Sequence, residues 1–303
     1  RLATDVRKNL PSLEDYELGQ TIATGQFSQI RHVRHQKHAE EYALKVYQKR
    51  QLLNTQSDEK LPNYEAERDL LCQSDSPWIP SLFMAWSDAR HLYLLMERAP
   101  GGDLLGLLSQ KTHLDEPDIR FYMAELLEAV HYVHTCGYVH RAIQPEHVLL
   151  ARNGHVKLAG FGSVIKLPKD NKPLLLESHY SLCAPEYSSP ELLQCLESCA
   201  GASGGYGIKT DLWSLGVVAY ELAYGQTPFQ GATTRQTIRA VKEFKRTLTF
   251  SSRTKYSGHF LDILKRLLTS EPVRFDYVRI RCLPFWSDLD WDNLRNGEKY
   301  IDD

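Results

Sequence analysis

Residues 139–148 read VHRAIQPEHV, and they lie between two segments with clear periodicity. Upstream, residues 116–137 (EPDIRFYMAELLEAVHYVHTCG) carry apolar residues at three- and four-residue spacing, which predicts a helix that ends at Gly137. Downstream, residues 147–152 (HVLLAR) and 155–160 (HVKLAG) are short and strand-like. The stretch is therefore predicted to be a loop between a long helix and a strand.

The periodicity changes along the chain from strand-rich to helical. Before Pro100, residues 17–48 alternate as expected for antiparallel hairpins, residues 63–73 have helical spacing, and residues 81–99 read as two further strands. Beyond Gly102, residues 210–225 predict a helix buried on most sides, and residues 259–269 predict an amphipathic helix. Residues 198–207 (SCAGASGGYG) are rich in Gly and Ser and predict a surface insertion. The pattern favours an α+β fold with a small strand-rich lobe and a larger helical lobe.

Composition narrows the class of protein. The 303 residues are 42% hydrophobic, which is enough for one large core or two medium cores, and the formal net charge is −2. That balance predicts no bulk attraction to nucleic acid, and no apolar run is long enough to cross a bilayer. The six cysteines are scattered without paired metal spacing, which favours free thiols in a reducing cytosol. The chain begins and ends abruptly, and we expect it to be a fragment of a longer protein.

The motifs and their order resemble a protein kinase domain. VHRAIQPEHV is similar to that family's catalytic loop, H-R-D-x-K-P-x-N, and GFG at 160–162 is similar to its D-F-G. Lys45 in YALKV and Glu67 in YEAERDLL match the family's strand lysine and its helix αC partner, while Met96 and Glu97 match the gatekeeper and first hinge residue. The resemblance implies a two-lobed α+β fold with a small antiparallel sheet plus αC.

Further motifs place the resemblance within the family. SPWIP (76–80), PGGDL (100–104), PEYSSPE (185–191) and DWDNLRN (290–296) are similar to the AGC group. Within that group the chain looks most like the citron-type kinases, with Rho-associated and myotonic-dystrophy kinases as cousins. The resemblance implies an N-terminal extension at 1–15, an N-lobe at 16–98, a C-lobe at 99–286 and the start of an AGC-type tail at 287–303.

The positions that carry phosphoryl transfer in the family are changed here. Ala142 replaces the catalytic Asp, Gln144 replaces the phosphate-contacting Lys, and the two magnesium ligands become His147 and Gly160. Magnesium prefers oxygen ligands, and no neighbouring motif completes a zinc site around an imidazole. We therefore expect no metal site, and His147 to be solvent-facing or packed. Loss of a general base alone costs about 10²–10⁴ in rate.

The phosphate-covering loop also departs from the family's G-x-G-x-x-G. Only the middle glycine, Gly25, is retained, and Ala23 and Ser28 put side chains where backbone N–H groups would approach phosphate. The segment could still cover a cleft, or it could be an ordinary hairpin turn.

Residues that fasten the fold are kept. The regulatory spine is matched by Leu71, Leu82, His140, Phe161 and Asp211, and the pair that pins the activation segment is matched by Glu191 and Arg274. The residues that stabilise the fold are retained, while the residues that carry out phosphoryl transfer are replaced. The sequence therefore predicts a catalytically inactive pseudokinase that acts as a scaffold and is not an enzyme. Two alternatives stand beside this prediction: a residual or atypical Ser/Thr kinase, metal-independent or using Glu146, and a metal-independent nucleotide-sensing module.

Nucleotide binding is an open expectation. By resemblance the residues that would bind it are Ile22, Gly25, Ile30, Ala43, Lys45, Glu67, Met96, Glu97, Asp103 and Leu149. Lys45 and Glu67 could present the lysine to phosphates, or could form a structural salt bridge that holds αC inward. No cofactor is expected to be required, and ATP without magnesium is the ligand that the cleft could accept.

The activation segment, 160–191, contains three candidate phosphosites, Ser178, Tyr180 and Ser181, and Arg141 is kept as a residue that could dock on the segment. Ala184 stands where active members carry threonine. The resemblance further implies cytoskeletal and cytokinesis partners, a cytoplasmic location at the cleavage furrow and midbody, and a coiled coil outside this fragment. It implies neither nucleic-acid binding nor membrane insertion.

Overall fold

The structure is a computed structural model, and it describes residues 12–52, 62–168, 174, 184–197, 205–250 and 255–296. The strands, numbered β1 to β9, are Tyr16–Thr24, Ser28–His35, Glu41–Gln48, Leu82–Ser87, His91–Glu97, Tyr138–Val139, Val148–Leu150, Val156–Leu158 and Ile165–Lys166. The helices, numbered α1 to α10, are Lys49–Leu52, Tyr64–Gln73, Leu104–Lys111, Glu116–Thr135, Pro190–Glu197, Lys209–Tyr224, Thr234–Lys242, Phe244–Thr247, Gly258–Leu267 and Tyr277–Arg281. Short 3₁₀ turns cover Leu13–Asp15, Pro145–His147, Phe161–Ser163, Glu271–Val273 and Pro284–Trp286.

The first lobe is a five-stranded antiparallel sheet in the order β1-β2-β3-β5-β4, with α2 packed beside it. Side chains alternate between the two faces of a strand, so β3 sends Leu44 to one face and Ala43 and Lys45 to the other. Leu44 packs with Val33 and Leu95 in a small core on the outer face. The inner face is therefore left to line the cleft between the lobes.

The second lobe is built around two helices that the sequence predicts. Helix α4 has a proline in its first turn and ends shortly before Gly137, whose φ of +81° is a backbone conformation that glycine adopts easily. Helix α6 is buried on nearly every side, as its apolar sequence predicts. A single hydrophobic cluster joins this lobe to the inner parts of the sheet lobe, including Tyr47 and Leu71. The predicted two-lobed α+β fold is confirmed.

Two small strand pairs complete the base of the cleft. Strand β7 pairs with β8 and β6 with β9, both antiparallel. The hinge after β5 runs beside β7, because Gly101 N–H donates to the carbonyl of Leu150 at 3.0 Å and Leu150 N–H to that of Gly102 at 2.9 Å. Among the described helices, none is both long and apolar enough to span a membrane.

Candidate functional site: the cleft between the lobes

The roof of the cleft is the inner face of the sheet. Lys45 is paired with Ile30 on β2 and with Leu94 on β5, and Ala43 is paired with Met96, so Ile30, Ala43, Lys45 and Met96 share this face. Ala43 is 9% exposed, and its side chain is a single methyl group. The register therefore brings four of the sequence-predicted residues together on one surface.

Lys45 and Glu67 form a short, buried ion pair under this roof. Lys45 Nζ lies 2.6 Å from Glu67 Oε1, and the residues are 7% and 2% exposed. Helix α2 begins at the N-cap Asn63, whose side chain accepts from Ala66 N–H at 3.2 Å and whose N–H donates to the carbonyl of Gly162 at 2.8 Å. These contacts set the start of α2 against the GFG segment, so that Glu67, one turn on, faces β3.

Tyr47 is a member of this group that the sequence analysis missed. Its hydroxyl donates to Glu67 Oε2, so both carboxylate oxygens of Glu67 have a donor. Burial and then the charge of Glu67 raise the pKa of Tyr47 well above its usual value, which keeps the phenol protonated. Tyr47 lies two residues beyond Lys45 on the same strand face, a period-2 signal that the sequence did contain.

The hinge and β7 form the floor of the cleft. Leu149 lies on β7 and forms an isolated antiparallel bridge with Asp103. The Asp103 side chain caps α3 by accepting from Gly106 N–H at 2.8 Å, so its carboxylate serves the helix start in this structure. Glu97 ends β5, and its Oε2 lies 2.9 Å from Lys157 Nζ on β8. Glu97 and Lys157 therefore tie the hinge to the second lobe.

The loop between β1 and β2 is a hairpin turn at the mouth of the cleft. Gly25 N–H donates to the carbonyl of Ser28 at 2.8 Å, which closes the turn. Ile22, on β1, is 50% exposed and lies where the register between β1 and β2 shifts. The structure therefore places Ile22 and Gly25 at the cleft mouth, apart from the buried roof residues.

The catalytic-loop stretch is held by its histidine, its arginine and Asp211. Asp211 accepts from the N–H groups of His140 and Arg141 and from His134 Nε2, each at 2.8 Å. Burial raises the pKa of Asp211, but the hydrogen bond from His134 and the nearby imidazoles outweigh it, so the net shift is downward. His140 contacts Phe161 edge to face with ring centroids 5.0 Å apart, so these predicted spine residues do pack together.

The changed positions in this loop offer little of the expected chemistry. Ala142 is buried, with 1% exposure, and carries no titratable group. Gln144 Nε2 donates to Glu146 Oε2 at 2.9 Å, and Glu146 is exposed. The amide of Gln144 thus holds the loop's one carboxylate in place of presenting a positive charge.

His147 and Gly160 fill the place where the family's magnesium ligands stand. His147 Nδ1 lies 2.6 Å from the carbonyl of Ala142, so this nitrogen carries the proton. Gly160 has φ of +79°, and a Cβ added there would overlap the His147 ring. Magnesium requires oxygen ligands in octahedral geometry, and this pair supplies an imidazole and a bare backbone. The residues present therefore do not fit a magnesium site of the family type.

The activation segment is fastened at both ends of its described part. Arg274, 1% exposed, binds Glu191 through Nη1–Oε1 at 2.5 Å and Nη2–Oε2 at 3.1 Å, which confirms the predicted pair. Arg141 donates to the carbonyl of Ser163 at 2.7 Å and to the hydroxyl of Tyr206 at 3.0 Å. The candidate phosphosites, Ser178, Tyr180 and Ser181, lie outside the described residues, and Ala184 packs against the main core.

Tyr206 corrects one prediction. It falls in the 198–207 stretch that was predicted to be a surface insertion, yet it is 2% exposed. Its backbone forms a bridge with Leu174 through hydrogen bonds of 2.8 and 3.1 Å. Tyr206 is buried because its ring is apolar and its hydroxyl accepts a hydrogen bond from the buried guanidinium of Arg141. The Gly and Ser residues around it in the sequence did not indicate this burial.

With this geometry in view, comparison with known proteins assigns the family. The protein kinase domain model matches residues 16–275, and the chain belongs to that family. It is 42% identical to the Citron Rho-interacting kinase of Homo sapiens over 95% of this chain and 14% of the relative. It is 37% identical to the Serine/threonine-protein kinase MRCK alpha of Mus musculus over 94% of this chain and 16% of the relative. It is 37% identical to the Myotonin-protein kinase of Homo sapiens over 94% of this chain and 45% of the relative.

These relatives overturn two predictions: that the chain is an inactive pseudokinase scaffold, and that it is not an enzyme. The relatives are named as kinases, and one as a serine/threonine kinase, across almost the whole of this chain. The physical reason is that positioning of the nucleotide is a large part of phosphoryl transfer in this family, and the Lys45–Glu67 ion pair is formed here beneath a complete sheet. Losing a base lowers a rate and does not by itself remove catalysis. The chain spans about a seventh of the length of the citron relatives that it matches.

Proposed function

We propose that this chain is a Ser/Thr-type protein kinase domain that binds ATP between its lobes and transfers phosphate slowly, without a carboxylate-bound magnesium ion. The observation that carries the proposal is the buried Lys45–Glu67 pair at 2.6 Å, on the same sheet face as Ala43 and Met96. That arrangement directs an ammonium group into the cleft below an apolar roof, which suits an adenine ring with its phosphates. The serine/threonine class rests on the names of the relatives.

The finer assignment belongs to the same proposal. Residues 76–80, 100–104 and 185–191 support membership of the AGC group, and the citron-type kinases are its members most like this chain. The division into an extension at 1–15, an N-lobe at 16–98, a C-lobe at 99–286 and a tail at 287–303 follows from that assignment.

The proposed reaction needs an acceptor for one proton. A Ser or Thr hydroxyl attacks the γ-phosphorus, a new P–O bond forms, the bond to ADP breaks, and the hydroxyl proton must leave. The loop at 139–148 has a single carboxylate, Glu146, which is exposed and held at 2.9 Å by Gln144. We assign proton acceptance to Glu146. Because Ala142 replaces the family's base, we expect rates lower by about 10²–10⁴ than in an intact kinase.

Transfer of radiolabelled γ-phosphate to a Ser/Thr peptide library tests the proposal, with magnesium or with EDTA. We expect slow incorporation by the purified domain, loss in Lys45→Met and a large decrease in Glu146→Gln. Lys37→Met is the matched control, since Lys37 is an exposed lysine on the turn after β2 of the same lobe. Incorporation that is equal in wild type and Lys45→Met would show that this cleft does not transfer phosphate.

Partners and location are proposed on the relatives alone. By resemblance to the citron-type kinases, one of which is named Rho-interacting, we propose cytoskeletal and cytokinesis proteins as partners. We also propose a cytoplasmic location with recruitment to the cleavage furrow and midbody, and oligomerisation through a coiled coil outside residues 1–303. Imaging of the tagged full-length protein through cell division tests this, and a uniform distribution at cytokinesis would contradict it.

A further inference from the structure

His147 occupies the cleft in a defined orientation. Its ring lies directly over Gly160, and its backbone is fixed by hydrogen bonds to Gln144 at 2.9 Å and from Ala159 at 2.8 Å. Because Nδ1–H donates to the carbonyl of Ala142 at 2.6 Å, Nε2 is the nitrogen that can take up a further proton. Within the described part of the chain, no residue forms a hydrogen bond with Nε2. Gly160 and His147 are complementary, since any side chain at 160 would displace the imidazole.

The charges that face His147 come from several elements. Lys45 on β3 and Glu67 on α2 lie across the cleft, Glu146 precedes His147 in the loop, and His140 lies behind it with ring centroids 6.3 Å apart. Burial lowers the pKa of His147, and Lys45 lowers it further, against the opposing effects of the Ala142 carbonyl, Glu146 and Glu67. Burial also lowers the pKa of His140 to about 4. At neutral pH both imidazoles are therefore uncharged when no nucleotide is bound.

A bound triphosphate needs positive charge that this cleft does not otherwise supply. Lys45 is already neutralised by Glu67 at 2.6 Å, and Gln144 contributes none. In the family two magnesium ions provide the balance, but the His147–Gly160 pair does not fit them. An imidazole within a few ångströms of phosphate gains a strong preference for its charged form.

We propose that His147 supplies part of the counter-charge that magnesium gives elsewhere: when a nucleoside triphosphate binds, Nε2 takes up a proton from solvent, and the imidazolium offsets one of the phosphate charges. The inference rests on the proposed nucleotide binding and specifies its chemistry. Because binding and protonation are linked, ATP affinity rises as the pH falls, by up to about tenfold per pH unit between the pKa values of the bound and free states. Above and below that window the contribution of His147 is constant.

Isothermal titration with ATP in EDTA at pH 6.0, 7.0 and 8.0, in buffers of different ionisation enthalpy, measures the proton uptake directly. The terminal phosphate of ATP also titrates near neutrality, so the deciding quantity is the difference between wild type and His147→Gln. We expect about one extra proton taken up by wild type near pH 7, and a loss of affinity of about tenfold or more from pH 6 to pH 8 that His147→Gln lacks. His113→Gln, on an exposed turn after α3, should behave as wild type.

A second measurement keeps the proposal falsifiable if His147→Gln does not fold. In ring-labelled histidine NMR of the wild-type domain, the pKa of His147 should rise on adding ATP. Equal proton uptake in both proteins, or an unshifted His147 resonance with ATP bound, would overturn the proposal while leaving nucleotide binding intact. Absence of ATP binding at every pH would overturn the proposed function itself, and this inference with it.

Discussion

Replacing Glu67 with alanine should be among the most destabilising single changes in the sheet lobe. The substitution leaves the Lys45 ammonium, 7% exposed, without the carboxylate that lies 2.6 Å away. It also leaves the buried hydroxyl of Tyr47 without its acceptor. Breaking a buried ion pair costs about 3–5 kcal/mol. We expect the free energy of unfolding to decrease by that amount, because an uncompensated buried charge remains.

A double-mutant cycle separates this cost from ordinary loss of packing. Glu67→Leu with Lys45→Met removes both charges and replaces them with apolar groups, so its cost should be at least about 2 kcal/mol less than the sum of the single changes. Tyr47→Phe should cost about 1.5–3 kcal/mol, the range for a hydrogen bond to a charged group. These values are measured by urea denaturation followed by circular dichroism, without nucleotide.

The control for the cycle is an exposed ion pair elsewhere in the chain. Arg239 and Glu243 pair at 2.9 Å on the surface of the second lobe, and Arg239→Ala should cost less than about 1 kcal/mol. A cost below about 1 kcal/mol for Glu67→Ala, or strict additivity in the cycle, would refute the view that this pair holds α2 against the sheet.

Three other predictions concern the second lobe and the loop. Because burial lowers the folded-state pKa of His140 from the ordinary 6.5 to about 4, the free energy of unfolding should decrease by up to about 1.4 kcal/mol per pH unit as the pH falls from 6.5 toward 4. Urea denaturation midpoints at pH 7 and pH 5 measure this, and His140→Tyr should make the stability less dependent on pH. Arg274→Ala strands Glu191 and three backbone carbonyls and should cost about 3–5 kcal/mol by thermal unfolding, and an unchanged midpoint would contradict its role. Gly160→Asp alone should destabilise the fold, because the new side chain would collide with the His147 ring. Adding His147→Asn should relieve the collision and make ATP binding magnesium-dependent. Equal ATP affinities of the double variant with and without magnesium would contradict this.

The prediction that the chain is inactive rested on changed residues at four positions of the cleft. Ala142, Gln144, His147 and Gly160 do lack the groups that the family carries at these positions, and Ala142 is buried, with 1% exposure. The step from missing groups to an inactive scaffold was wrong, because positioning is a large part of phosphoryl transfer in this family and the Lys45–Glu67 ion pair is formed here. The sequence shows which catalytic side chains are replaced, but it does not show how much activity the retained side chains can support.

The sequence by itself determined the elements and the order of the motifs. Period-2 alternation in β3 and three-four spacing in α4 follow from backbone geometry, which is local and can be read from neighbouring residues. The Lys45–Glu67 and Glu191–Arg274 pairs were predicted by the family resemblance alone, because their members are 22 and 83 residues apart in the chain.

Only the tertiary structure decided the contacts between segments far apart in the chain. It brought the Tyr206 hydroxyl to Arg141 from a glycine-rich stretch, and it set the His147 ring over Gly160. Neither contact has a local signature, because each depends on how separate elements pack and on which buried polar atoms then need partners. The electrostatic state of the cleft is therefore a property of the assembled fold, since burial and neighbours across space set the pKa of each group.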